Sequence, residues 1–148
     1  MRRKWWVWSL AILVLAGASL LLSGGPKRWT ELSFRLWRGR YAAAAEAAVT
    51  GEPWENVPGV WSLNVWPKAG AEEVLVADFA LGSWGMGSST SYWGVCMTTD
   101  GQPAGWQGTE MALTEDTPGS FSWREAEGDN AYQIWELDDG WYGYLMEF

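Results

Sequence analysis

Histidine is absent from this chain and cysteine occurs once, at Cys96. One cysteine permits no internal disulfide and no cysteine-rich metal site. Without histidine there is no Ser-His-Asp constellation, no imidazole proton shuttle and no His-ligated zinc, which removes most hydrolase mechanisms. Cys96 sits between Val95 and Met97 within an apolar run. A small buried side chain is expected there, since no imidazole exists to activate a thiol. No cofactor is expected.

Positive charge is scarce beyond residue 40. Only Lys68 and Arg124 are basic in residues 41–148, against 17 carboxylates, a net charge of −15. A domain that acidic excludes nucleic acid as a partner. A merely soluble surface explains the same acidity.

Charge is missing altogether from residues 5–22, Trp-Trp-Val-Trp-Ser-Leu-Ala-Ile-Leu-Val-Leu-Ala-Gly-Ala-Ser-Leu-Leu-Leu, which follow Arg2-Arg3-Lys4. Eighteen residues at about 1.5 Å each make a helix of roughly 27 Å, close to the thickness of a hydrocarbon core. The run predicts a transmembrane anchor over residues 1–25, in contact with the lipid bilayer through residues 5–22, with Trp5, Trp6 and Trp8 in the interfacial belt. Ala16-Gly17-Ala18 offers a competing signal-peptidase site that would free a chain starting at Ser19, but Leu20-Leu21-Leu22 continue the apolar run past it. A basic segment before an apolar one is how a secretory signal begins, so the expectation is a single-pass cell-membrane protein with its C-terminal domain outside the cytoplasm. Lys27, Arg28, Arg35, Arg38 and Arg40 argue for the opposite orientation.

Pro26 is well placed to open a second helix, because its missing N–H would be unpaired there anyway. Residues 26–50 read as that helix, amphipathic and juxtamembrane. Trp29, Leu32 and Leu36 make one stripe; Phe34, Trp37, Tyr41, Ala44 or Ala45, and Ala48 make a second. Thr50-Gly51 supplies the stop.

Residues 51–148 have a different texture, with short period-two runs separated by Gly, Pro, Asp and Asn. Strands are expected at Trp61 to Val65, Val74 to Leu81, Ser91 to Thr99, Thr109 to Thr114, Ser120 to Arg124, Ala131 to Leu137 and Trp141 to Phe148. Short connections favour an antiparallel meander. The fold class is thus α+β: an N-terminal transmembrane helix, a second helix, and an antiparallel meander of about five to seven strands packed on that second helix.

Paired carboxylates can run glycoside hydrolysis when set across a cleft. The adjacent pairs Glu72-Glu73, Glu115-Asp116 and Asp138-Asp139 fall at expected strand ends or turns, where acidic residues are ordinary. Asp129-Asn130 and Asp138-Asp139-Gly140 lack the alternating oxygen spacing of a calcium loop and read as turns.

Tryptophan is the abundant signal, at 14 of 148 residues. Trp61, Trp93 and Trp123, at alternating positions of expected strands, are core candidates. Trp84 and Trp106 lie instead in Gly82-Ser83-Trp84-Gly85-Met86-Gly87-Ser88-Ser89 and Pro103-Ala104-Gly105-Trp106-Gln107-Gly108, settings that can present a large ring to a protein or glycan. These two are the candidate binding residues.

The pieces Ser62-Leu63-Asn64-Val65-Trp66, Ser88-Ser89-Thr90-Ser91-Tyr92-Trp93-Gly94, Asp100-x-x-Pro103, Gly128-Asp129-Asn130 and Trp141-Tyr142-Gly143-Tyr144 to Phe148, behind an apolar span and a helix, resemble small membrane-anchored proteins of gut clostridia and their relatives. Cys96-Met97 departs from that pattern, where aromatic residues are expected. The resemblance implies the architecture and a bacterial envelope address. It carries over no functional residue, because the group has no assigned activity. The expected function is therefore a membrane-tethered, extracytoplasmic, non-catalytic binding domain; the alternatives are a carboxylate-dependent hydrolase of the envelope and a membrane-bound regulator or immunity-type protein.

Overall fold

The computed structural model of the protein describes residues 25–148. Helix α1 spans Gly25–Val49, and seven strands follow: β1 (Ser62–Lys68), β2 (Ala71–Met86), β3 (Ser89–Thr98), β4 (Thr114–Thr117), β5 (Ser120–Arg124), β6 (Ala131–Asp138) and β7 (Trp141–Glu147). They form one antiparallel sheet in the order β1-β2-β3-β7-β6-β5-β4.

The expected two-helix, single-pass architecture is corrected by this arrangement. Among the described residues there is one α-helix, and no helix is long and apolar enough to cross a membrane. Its sequence explains why: α1 carries Lys27, Arg28, Glu31, Arg35, Arg38, Arg40 and Glu46, a charge load that hydrocarbon does not accept. The expected anchor over residues 1–25, its bilayer contact through residues 5–22 and the cleavage site after Ala18 fall outside the described residues, apart from Gly25, which begins α1. One helix on a seven-stranded sheet replaces the predicted fold, and the cell-membrane placement is not retained.

The single meander also gives way. Two meanders, β1-β2-β3 and β4-β5-β6-β7, lie side by side, and the last strand of the chain pairs with β3 at the centre. The long connection at residues 99–113 makes this possible. Those residues were expected to hold a strand at Thr109 to Thr114; instead they cross one face of the sheet through a 3-10 turn, Trp106–Gly108, before β4 begins at Thr114. Ala104, Trp106, Met111 and Leu113 pack onto that face, so their apolar area is buried by covering the sheet and not by pairing at its edge.

Helix α1 covers the opposite face. Thr30, Ser33, Phe34, Tyr41, Ala44 and Ala45 recur at helical spacing and are buried. Tyr41 is wholly buried, with its hydroxyl 2.9 Å from that of Ser33 and its ring edge-on to Phe79 at 4.9 Å and 74°. Of the other expected stripe Trp29 and Leu36 are exposed and Leu32 is half-buried, and Trp37, expected alongside Phe34 and Tyr41, is exposed as well. The helix bends at Trp37 (φ −118°, ψ 17°), two residues before the weak helix former Gly39. Phe34, Tyr41, Ala44 and Ala45 share one core with Val57, Val60, Ala77, Phe79, Leu81 and Val95.

Covered on both faces, the central strands are buried in consecutive runs, Val76 to Phe79 and Tyr142 to Tyr144, where a one-faced sheet would alternate. Trp61, expected in the core, is exposed, whereas Trp93 and Trp123 are half-buried against the two cores.

Candidate functional site

An open groove of about 460 Å³ lies where β3 begins and β7 ends. Its lining comes from separate parts of the chain: Gly87, Ser88 and Thr90 from the β2–β3 hairpin, Tyr92 from β3, Trp106 from the crossover, Asp129 and Asn130 from the β5–β6 turn, and Phe148 beyond β7. The Phe148 N–H donates to the Thr90 carbonyl at 3.0 Å, which ties the two strand ends together under the groove.

Three rings form one wall. Trp106 and Phe148 meet at 5.1 Å and 69°, Tyr92 and Phe148 at 6.0 Å and 85°, and Tyr92 and Trp106 at 5.9 Å and 33°. The lining also includes the polar residues Ser88, Thr90, Asp129 and Asn130, with the Thr90 hydroxyl donating to the Gly87 carbonyl at 3.0 Å. An apolar wall with a few polar groups beside it is the usual composition of a small-ligand site, and the volume lies within the range such sites occupy.

The backbone fixes Trp106 in place. Its carbonyl accepts from the Thr109 N–H at 3.0 Å and the Thr109 hydroxyl at 2.7 Å, and the Gly105 carbonyl accepts from the Gly108 N–H at 3.0 Å. The Gly108 carbonyl in turn accepts from the Ala69 N–H at 2.8 Å, which pins the turn to the β1–β2 hairpin. Two successive residues are left-handed here, Gln107 (φ 52°) and Gly108 (φ 75°). For glutamine that conformation is uncommon, and such strain collects where surroundings hold a backbone in one functional shape.

The structure separates the two tryptophans singled out from the sequence. Trp106 is half-buried in the groove wall. Trp84 is 80% exposed on the β2–β3 hairpin. A register shift between Ala80 and Gly82 sets Trp84 opposite Ser91, one position out of step with Tyr92, so it belongs to the face of the hairpin away from the groove. Tyr92 and Phe148 were not among the expected binding residues. Nothing local marks them, because they meet Trp106 only when β7 inserts beside β3.

The carboxylates do not gather into a second site. Glu72, Glu73, Glu115 and Asp116 are exposed on strands β2 and β4, and Asp138 pairs with Arg38 of α1. Among the described residues no three of Cys, Asp and Glu are placed to hold a metal ion. The unusual acid is Asp78 on β2, 5% exposed beneath the crossover. Burial pushes its pKa up to about 6, against the nearby Tyr144 hydroxyl and Trp66 indole, which lower it. Asp78 Oδ1 and Trp66 Nε1 both fall short of full hydrogen-bond geometry, so burial prevails. Asp78 does not line the groove.

Comparison of the chain with protein-family models, with curated proteins and with solved structures finds no match in any of the three. The geometry of the groove is therefore what a functional reading rests on.

Proposed function

We propose that this protein is a non-catalytic binding domain whose ligand seats in the groove walled by Tyr92, Trp106 and Phe148. The observation that carries the reading is the convergence of those three rings with Ser88, Thr90, Asp129 and Asn130 around one opening, on a backbone held by the Trp106–Gly108 turn. Half-buried aromatic rings beside polar groups supply contact area and orientation together. Hydrolysis by paired carboxylates is the less supported reading. The groove lining contains a single acidic side chain, Asp129, and the acid with the raised pKa lies in the core.

Chemical-shift mapping on the isotope-labelled protein, with a panel of sugars, amines and short peptides, tests the proposal. Shifts concentrated at residues 87–92, 106, 129–130 and 148 are the expected result. A ligand whose shifts map elsewhere, with the groove silent, would overturn it.

A further inference from the structure

We infer that the groove selects an organic cation, a quaternary or alkylated ammonium group; the inference rests on the groove being a binding site. The first observation is the angle between rings. Phe148 stands at 69° to Trp106 and 85° to Tyr92, so the ring planes turn around a corner. A sugar stacks best on one broad plane, whereas a tetrahedral ammonium group can touch rings set at an angle to one another and is attracted by whatever ring face the groove leaves open.

Charge supplies the second observation. Asp129 is the one charged side chain in the lining, which contains no lysine or arginine. Residues 41–148, which contain the whole groove, carry a net −15. Such a field draws cations toward the opening and repels carboxylates and phosphates. Cation–π contacts within the described chain use other rings, Lys27 over Trp135 at 5.2 Å and Arg40 over Trp37 at 5.6 Å. Ser88 and Asn130 in the lining carry polar groups able to pair with a hydroxyl on the same ligand, as in an alkanolamine, while the Thr90 hydroxyl donates to the Gly87 carbonyl.

The test compares choline with 3,3-dimethylbutan-1-ol, which has the same shape and no charge, and with an N-acetylglucosamine oligomer, each titrated into the full chain and followed at the Trp106 indole N–H by NMR. Choline is expected to bind about tenfold more tightly than its neutral counterpart, since each ring face open to the groove adds a modest electrostatic attraction. Asp129→Asn, at an exposed position that leaves the fold intact, is expected to reduce that preference about threefold. Trp106→Phe, followed at the backbone amides of Tyr92 and Phe148, should weaken choline binding and reduce the preference, since phenylalanine is the weaker cation–π ring. Equal binding of choline and the alcohol, or a preference for the sugar, would overturn the cation assignment and leave the groove a binding site. Silence of the groove toward all three would count against both.

Discussion

Asp78 on β2 lies directly across from Cys96 on β3, and both side chains are buried on the sheet face under the crossover. The charge of Asp78 makes the Cys96 thiolate harder to hold. Burial, then the charge of Asp78, keeps the Cys96 thiol far above its ordinary range. The neighbouring tyrosine hydroxyls on this face, Tyr132 and Tyr144, are pushed up in the same way, by burial first. One carboxylate thus sits among a thiol and two phenols that themselves stay neutral.

Stability should therefore depend on pH through Asp78. Its pKa is about 6 in the folded protein against an ordinary 3.8, so between those values the native state holds more protons than the unfolded chain. Stability falls as pH rises through that window, and above it the cost reaches about 3 kcal/mol, two pKa units at roughly 1.4 kcal/mol each. Urea unfolding at pH 4 and pH 8 should show Asp78→Asn gaining on the parent protein as pH rises. A difference between the two that does not change with pH would refute this.

Cys96 should be inert in the folded protein. The thiolate is the reactive form, and burial suppresses both its population and its access. Ellman's reagent is expected to titrate no thiol under native conditions and one per chain in denaturant. Rapid native labelling would mean that the crossover opens readily.

Gly143 permits a close approach that no other residue could. A Cβ at this position in β7 would come within 2.5 Å of the Trp135 ring on β6. Trp135 is itself buried, so the ring has little room to retreat. Gly143→Ala should cost about 1–3 kcal/mol by overpacking, read from the shift in denaturation midpoint. A variant as stable as the parent would show that the indole can repack.

The hydrogen bond that spans the bend within α1 can be tested at Tyr41. Tyr41→Phe keeps the ring contacts with Phe34, Phe79 and Trp141 and deletes the hydroxyl that meets Ser33. Leaving the buried Ser33 hydroxyl without that partner should cost about 1–2 kcal/mol in equilibrium unfolding. The paired change, Ser33→Ala with Tyr41→Phe, should recover part of it. Identical losses in the single and double variants would argue against the hydrogen bond.

Trp84 and Trp106 should differ in what they do. Trp84→Ala, at an open hairpin position on the face away from the groove, is expected to change stability by less than about 0.5 kcal/mol and to leave the groove's ligand titrations unchanged. Loss of groove binding in that variant would show that the hairpin reaches over the opening.

The strand-rich, acidic character of residues 51–148 was legible because alternation and turn residues are local signals. β1, β2, β3, β5, β6 and β7 each overlap an expected run, and the β6–β7 turn falls at Asp139-Gly140. The strand expected at Thr109 to Thr114 does not form, for a physical reason. Thr109 to Thr114 alternates as a strand does, but its apolar members Met111 and Leu113 are used to cover a sheet. Periodicity records which side of a segment is apolar and says nothing of what that side meets.

The candidate site was legible only in part. Trp106 stood out because glycines surround a large ring; Tyr92 and Phe148 looked like ordinary strand residues, and Asp129-Asn130 like an ordinary turn. Sequence alone determined the absence of histidine chemistry, the negative field and the local strand pattern, since these follow from composition and from neighbours along the chain. Only the tertiary structure decided which of two apolar stripes α1 buries, that the last strand lies at the centre, and that three rings from distant segments share one opening. Those outcomes depend on long-range packing, where burial of one surface is won against alternatives that no local window contains.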